Sequence, residues 1–427
     1  MKPAGWVACW VTLLFPTLVF AGEEGQPLDL RSLVEWGRVS GSLRAGYWSS
    51  SRNLDDRSNL ATAALWLKAE PRLWHNVSLT VEGWIRNEHL FRAEETRGAL
   101  REAYVDVRLG RLDLRLGKQI IVWERADRLN PTDNLTPRNV TLLEPDDNDQ
   151  RVGVTGMKAS YYYLGGLSLT GIWLPEFIPY TIPLRQPAPP VTLRERTPGN
   201  TFGQWAMRVE QTGRAVDWSL SFFEGFDRFP DAKLGQMSPE AVAVFLTHNR
   251  IQVIGADAAT TIGRYGLRGE AAYTFTQDGS GKNPLLKNPF FYLVLGGDRT
   301  FREYLNINCQ YFLRVVSSFH NPAEVADPLR RAVALRLAAI TNQRDRVQNG
   351  ASMRVSYKWF NETLEGELAG VLSFTRLDFA LRPKLTYAFT DRWKGMVGAD
   401  IFRGSKNVLF GRLRKNSGAY VELRYSF

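Results

Sequence analysis

The sequence has few cysteines and histidines, and it lacks a long hydrophobic run beyond its amino terminus. Its two cysteines are Cys9, which falls in a predicted export signal, and Cys309, so the mature chain forms no internal disulfide. The four histidines show no metal-ligand spacing, and no serine or threonine pairs with one of them as a nucleophile would. We therefore expect no enzyme activity, no metal and no other cofactor. No mature segment approaches eighteen apolar residues, which excludes a helical membrane protein.

Charge of one sign is also not concentrated in runs. The chain has 54 Lys and Arg against 44 Asp and Glu, and both signs are scattered along it. This distribution argues against a nucleic-acid partner and favours charges dispersed over an internal surface. No linker or low-complexity tract divides the chain, so we expect a single large unit.

The amino terminus has the pattern of an export signal. Lys2 precedes an apolar run from Val7 to Phe20, and Val19-Phe20-Ala21 provides small residues for cleavage after Ala21. The predicted organisation is a signal peptide at 1–21, a short periplasmic segment at 22–38 and a barrel at 39–427.

A two-residue alternation of apolar and polar side chains repeats along the mature chain. It is clearest at the carboxyl end, where Val421, Leu423 and Tyr425 alternate with Glu422 and Arg424. A strand that has lipid on one face and water on the other requires this pattern. We count it eighteen times, between 39–48 and 417–427. The sequence predicts an all-β fold, a transmembrane antiparallel β-barrel of about 18 strands.

The connections between these strands alternate in length, as in outer-membrane barrels. Short glycine turns such as Leu109-Gly110-Arg111 separate longer loops, and an even strand count returns both termini to the periplasm. Thr375-Arg376 is the exception, because a long outside loop is expected there. Two outside loops have further features: 175–201 is rich in proline, and 327–342 has helical periodicity.

Energetics predict which side chains line the lumen. An Arg or Lys that faces lipid at mid-bilayer costs about 2–4 kcal/mol, so the charged positions of the strands must face inward. The predicted pore-lining residues are Arg86, Arg108, Arg111, Arg115, Arg268, Arg314, Arg382, Lys384, Glu82, Glu102, Asp106, Asp113 and Glu270. The tryptophans near strand ends fit interfacial girdles, and ordinary aromatic packing explains any single one equally well: Trp48, Trp66, Trp74, Trp173, Trp218, Trp359 and Trp393.

The connection at 124–150 is longer than a reversal between neighbouring strands needs, and its prolines stiffen it. We expect this loop to fold into the barrel and to set the narrowest point, with its acids paired to Arg108, Arg111, Arg115 or Arg268. An ordered loop that stays outside the pore is the alternative. The residues assigned to the constriction are Asn130, Pro131, Asp133, Glu144, Asp146, Asp147 and Asp149.

The chain resembles porin-like outer-membrane β-barrel proteins of Gram-negative bacteria, with alginate-export barrels as distant relatives. The likeness rests on Leu116-Gly117-Lys118-Gln119, Trp123 and the Asn130-Pro131 turn, within about 109–179, and on the terminal strand. It implies a pore, an outer-membrane location and recognition of Phe427 by the barrel-assembly machinery, but it implies no substrate.

Together these observations predict a channel for passive diffusion of small hydrophilic solutes, with a mild anion preference. The alternative is a conduit or sheath for a partner-dependent export or electron-transfer complex. The expected partners are outer-membrane lipid and lipopolysaccharide, the assembly machinery and small solutes, with a homo-oligomer or a periplasmic partner also open.

Overall fold

The computed structural model describes residues 37–50, 54–55, 57–90, 92–184, 191–238, 241–406 and 408–427. The predicted signal peptide, 1–21, and nearly all of the predicted periplasmic segment, 22–38, lie outside these residues.

Eighteen antiparallel strands form the wall of a closed barrel, in agreement with the alternating pattern of the sequence. They are β1 (Ser40–Trp48), β2 (Leu60–Ala69), β4 (Val77–Asn87), β5 (Thr96–Leu109), β6 (Leu112–Gln119), β7 (Val154–Tyr162), β8 (Leu167–Leu174), β10 (Gln204–Gln211), β11 (Val216–Phe226), β14 (Arg250–Ile262), β15 (Tyr265–Phe275), β16 (Phe290–Phe301), β17 (Leu305–Val316), β18 (Val347–Trp359), β19 (Leu364–Ser373), β20 (Asp378–Ala388), β21 (Trp393–Arg403) and β22 (Gly418–Ser426). The short strand β3 (Arg72–Trp74) pairs with β4. Pairing of β1 with β22 closes the cylinder, so no wall strand presents an unpaired edge to lipid.

The exposure of the side chains is inverted relative to a soluble protein. In β22, Val421 and Leu423 are 51% and 43% exposed, whereas Tyr420 and Glu422 are 5% and 2% exposed. Large apolar side chains are exposed in the same alternating way on the other wall strands, and these form the surface that faces lipid.

The tryptophan expectation is wrong at two positions. Trp74, Trp173, Trp218, Trp359 and Trp393 are exposed, as girdle residues would be. Trp48 and Trp66 are buried on the inner side; Trp48 stacks on Tyr420, and Arg44 lies 4.5 Å above the Trp66 ring. A tryptophan's distance from a strand end does not say which face of the strand it occupies. That face is set by the register of the strand in the barrel.

The sequence pattern did not predict the first residues of β5, because a β-bulge interrupts the alternation there. The strand begins at Thr96, four residues before the predicted start, and its register with β4 shifts at Glu82 and Gly83. The extra residue turns the adjacent charged side chains of Arg101 and Glu102 to the same, inner side: Arg101 pairs with Glu82, and Glu102 accepts a hydrogen bond from the Ile120 amide.

The long loops build a second layer at one end of the barrel. β9 (Val191–Arg196), β12 (Asp231–Ser238) and β13 (Ala241–Thr247) form a three-stranded sheet, which the sequence did not predict. Helix α1 (Pro328–Ile340), predicted at 327–342, buries Ala334 and Leu337 against Ala232, Val244 and Leu285 of this layer. A short helix, α2 (Leu409–Arg412), packs on β20. Among the described residues, no helix is long and apolar enough to cross a membrane.

Candidate pore and constriction

The inner wall carries charged side chains that are mostly paired with each other along or between strands. Arg115 donates to both oxygens of Asp106 at 2.7 and 3.0 Å, and Lys384 lies 3.3 Å from Glu367. Arg268 pairs with Asp298. Such cross-strand pairs neutralise the wall locally, so the sign of the lumen depends on the small surplus that remains.

The connection between β6 and β7, residues 120–153, enters the lumen and crosses it. We call this segment the inward loop. One side of it packs on the wall formed by β7, β8, β10, β11, β14 and β15 through a buried apolar cluster. That cluster consists of Ile121, Trp123, Leu135, Val154, Ile172, Leu174, Ala206, Phe223, Ile251, Val253 and Ala272. Apolar burial therefore fixes the loop against one side of the barrel.

A carboxylate cluster holds the first turn of the inward loop on this same wall. Glu270 accepts hydrogen bonds from the backbone amides of Arg125 and Ala126. The Arg125 side chain pairs with Asp257 and lies 2.7 Å from Glu210. A buried guanidinium needs such partners, because an unpaired charge would carry a large desolvation cost.

The other side of the inward loop reaches the opposite wall through ion pairs. Asp147 lies 2.6 Å from Arg382 of β20, and Asp149 lies 2.5 Å from Arg44 of β1. Arg86 of β4 lies 3.6 Å from Glu144. The loop thus spans the lumen from an apolar attachment to a charged one.

Arg228, in the connection after β11, holds the inward loop by hydrogen bonds to its backbone. Its guanidinium donates to the carbonyl oxygens of Asn134 and Leu135 in the loop, at 3.3 and 2.5 Å, and to that of Ile178. Burial lowers the pKa of Arg228 to about 10, which still leaves it charged at neutral pH. Three carbonyl groups therefore depend on one buried cation.

The inward loop also has an internal ion-pair network. Arg151 lies 2.8 Å from Asp133 and 2.6 Å from Glu124, and Arg138 approaches the same two carboxylates at 3.3 and 3.0 Å. These ion pairs join the start of the loop to its middle and its end. The segment is therefore folded on itself.

A water-accessible cavity of about 510 Å³ lies between the inward loop and the charged wall. It is lined by seven basic and six acidic side chains together with Pro145, Asn148, Thr386 and Met396. The charged lining residues are Arg128, Arg138, Arg151, Arg354, Lys384, Lys394, Arg424, Glu124, Asp127, Asp146, Asp147, Glu365 and Glu367. The cavity is therefore polar and only slightly richer in positive charge.

Two acids of the loop differ in how burial and nearby charges act on them. Burial alone would raise the pKa of Asp147, but the charges of Arg382 and Arg128 together hold that pKa below its ordinary value. Burial raises the pKa of Asp149 to about 6, and Glu144 adds to the rise while Arg44 only partly offsets it. Asp147 is thus ionised at all physiological pH values, whereas Asp149 titrates near pH 6.

The structure places the predicted pore-lining residues in three groups. Most of them lie inside the barrel: the members that contact the inward loop or one of its partners are Arg86, Arg268, Arg382, Lys384, Glu82, Glu102 and Glu270, whereas Arg115 and Asp106 pair with each other. Asp113 is half-buried on β6, and Arg314 donates at 2.8 Å to the Thr341 carbonyl at the end of α1. Arg108 and Arg111 are exposed at the turn between β5 and β6, at the opposite end of β6 from the inward loop.

The predicted partners of the loop acids are wrong. Glu144, Asp147 and Asp149 pair with Arg86, Arg382 and Arg44, not with the four arginines named from the sequence. Asp146 instead caps a turn by accepting from the Asn148 amide, Asn130 donates to Glu124, and Pro131 is buried. Pairing across a barrel depends on the path of the loop, which the alternation of the strands does not encode.

Four arginines of loops or of the bulge, which the sequence did not single out, hold the inward loop or pair with the wall beside it: Arg101, Arg125, Arg128 and Arg228. The segment 120–153 has four arginines beside seven acids, and this density of charge was the signal that could have indicated Arg125 and Arg128. Among the described residues, no cluster of three or more His, Cys, Asp and Glu could hold a metal ion.

Comparisons with known proteins agree with this architecture. The family described as "Protein of unknown function (DUF1302)" matches residues 51–288, more than half of the chain. The chain belongs to this family. A comparison with curated proteins gives no match for this DUF1302 protein.

Three solved outer-membrane porins resemble the DUF1302 barrel over nearly its whole length. Pseudomonas aeruginosa OpdK, solved with vanillate, has a TM-score of 0.54 at 10% identity and covers 91% of this chain and 98% of its own. Acinetobacter baumannii OccAB1 has a TM-score of 0.54 at 9% identity, with coverages of 91% and 96%. Pseudomonas aeruginosa OccK11 (OpdR) has a TM-score of 0.53 at 11% identity, with coverages of 91% and 95%.

At these identities the likeness shows the fold. It confirms the resemblance to porin-like barrels that the strand and loop patterns indicated. With the apolar outer surface of the closed barrel, it places the DUF1302 protein in the bacterial outer membrane.

Proposed function

We propose that this barrel is a channel for passive diffusion of small hydrophilic solutes, with its narrowest part between the inward loop and the wall formed by β18 to β22. The observation that carries the proposal is the charged cavity of about 510 Å³ on that side of the loop. Its volume falls within the range of sites that hold a small molecule, so the path suits small solutes.

The lining supports a mild anion preference. Seven basic and six acidic side chains face the cavity, and many of them are paired. Fixed charges of both signs favour hydrated, polar solutes over apolar ones, and the surplus of one positive charge gives only a weak bias toward anions. Screening weakens this bias further as the salt concentration rises.

The alternative of a conduit for a partner gains no support from the inward loop. A protein threaded through the barrel would have to displace the loop, break its ion pairs with β1, β4 and β20, and expose the apolar cluster beneath it. The loop is therefore better suited to selecting small solutes than to admitting a polypeptide.

Cysteine modification in single channels tests the proposed path. Thr386 lines the cavity, and the next residue of β20, Tyr387, is 43% exposed on the outer surface. In a background with Cys309→Ser, which removes the exposed native thiol, Thr386→Cys and Tyr387→Cys are treated with a charged methanethiosulfonate reagent in planar bilayers. We expect a stepwise fall in conductance for Thr386→Cys and none for the matched Tyr387→Cys.

Two results would count against the channel. If correctly assembled, heat-modifiable protein conducts no ions, the protein is not a channel. If conductance is unchanged after modification at position 386, ions do not pass through this cavity. Reversal potentials in a salt gradient test the preference separately, and clear cation selectivity would contradict it.

A further inference from the structure

The turn between β19 and β20 is the shortest connection at the loop end of the barrel. Only residues 374–377 connect these strands, whereas the neighbouring connections are long. Phe374 and Leu377 continue the outward positions of the two strands, and they are 45% and 76% exposed. Because the apolar outer face reaches the tip of this turn, the tip lies at the level of the lipid headgroups rather than above them.

Three arginines lie at this short turn. Arg376 belongs to it and donates two hydrogen bonds of 2.7 Å to Asp345, which places Arg344 beside the turn. Asn349, at the top of β18, bonds to both Phe374 and Thr375, so the α1–β18 connection lies along the turn. The helix α2 packs on β20 through the Phe410 amide and Asp378, and it brings Arg412 to the other side.

This group has more positive charge than its partners balance. Burial, and then the charges of Arg376 and Arg412, lower the pKa of Arg344; burial and the charge of Arg336 lower the pKa of Arg412. Two acids lie nearby: Asp345 interacts with Arg344 and Arg376 and is already paired with Arg376, and Asp378 interacts with Arg376 and accepts from the Phe410 amide. Within the described residues, Nε and Nη1 of Arg344 have no hydrogen-bond partner.

We propose that Arg344, Arg376 and Arg412, with Phe374 and Leu377, form a binding site for a phosphorylated lipid headgroup of the outer leaflet, such as the phosphates of lipopolysaccharide. The guanidinium groups supply charge-assisted hydrogen bonds to phosphate oxygens, and the two apolar side chains contact the acyl chains just below. The site needs only the described fold and does not depend on whether the barrel conducts.

A second copy of this chain is a poorer occupant. Two copies that met across a symmetric contact here would bring like charges together, and repulsion between unpaired arginines opposes such an interface. A phosphate brings the opposite charge and matches the geometry of guanidinium groups.

Lipid binding by the purified full-length protein tests this site. Native mass spectrometry in detergent measures retention of bisphosphorylated lipid A, and the same lipid without its phosphates is the comparison. We expect the wild type to prefer the phosphorylated form. In Arg344→Ala/Arg412→Ala, which leaves the Arg376–Asp345 pair intact, we expect roughly tenfold weaker binding of it or more.

A matched control removes the same charge at the other end of the barrel. Arg108→Ala/Arg111→Ala, exposed at the β5–β6 turn, is expected to bind as the wild type does. Heat-modifiable migration confirms that both variants are assembled. Equal binding of lipid with and without phosphates by the wild type would overturn the proposal, even if the variant failed to fold. Full competition by inorganic phosphate, or a change in oligomeric state in place of lipid loss, would overturn the assignment to a lipid.

Discussion

Replacing Asp147 with Asn tests how the inward loop controls the channel. The carboxylate of Asp147 lies 2.6 Å from Arg382 on the wall, pairs with Arg128 in the loop and lines the cavity. Asparagine keeps the size of the side chain and removes the charge. Arg382 keeps Asp400 at 2.6 Å and the Glu144 carbonyl, so its buried cation is not left alone.

The expected change in selectivity follows from Coulomb's law. An anion about 6 Å from this carboxylate is repelled by about 0.7 kcal/mol even at the dielectric constant of water. Removing that repulsion raises the local anion concentration about threefold, because about 1.4 kcal/mol corresponds to a factor of ten. In 1 M salt the Debye length of about 3 Å screens most of the effect, whereas at 0.1 M it is about 10 Å. We therefore expect a clear shift toward anions at low salt only.

The assay is the reversal potential of single channels in a potassium chloride gradient, at low and at high salt. Asp391→Asn is the matched control, because Asp391 is exposed in the turn after β20 and does not line the cavity. If both variants shift the reversal potential equally, the effect comes from overall charge and the cavity is not the selective part. If Asp147→Asn shifts nothing at low salt, ions do not pass this residue.

Two further predictions concern the loop and the assembly of the barrel. Burial raises the pKa of Asp149 from its ordinary value of 3.8 to about 6, so the docked loop binds a proton more tightly than a released one. Docking is strongest below about pH 4 and weakens, by up to about 3 kcal/mol, as pH rises through 6. We expect conductance to fall on acidification across this range, and Asp149→Asn to remove that titration; an unchanged pH profile in the variant would contradict the assignment. Phe427 closes the barrel seam through two backbone hydrogen bonds to Gly41, at 2.9 and 3.1 Å. Phe427→Asp should lower the amount of heat-modifiable barrel in outer membranes while Phe427→Trp does not, and equal amounts of both would argue against an assembly role.

Some of the fold was readable from local pattern. Each wall strand must satisfy lipid on one face and the lumen on the other, and this constraint acts on every second residue of a short segment. All eighteen wall strands were therefore predicted, and so was α1, whose start at Asp327 and Pro328 is a local capping signal. The sequence did not predict the bulge in β5 or the inward positions of Trp48 and Trp66, because the register of a strand can change without a break in the apolar pattern.

The length, prolines and acids of 124–150 were sufficient to predict a loop that folds into the barrel and has charged partners on its wall. The sequence alone could not choose among the many arginines of the wall, because ion pairs such as Asp147–Arg382 join residues more than 200 positions apart. Such contacts exist only after the barrel has closed and the loop has taken one path through it. The sequence by itself determined the strands, their two faces and the membrane they fit, since these depend on neighbours in the chain. Only the tertiary structure decided which charges meet across the lumen, since closure brings together groups that no local pattern relates.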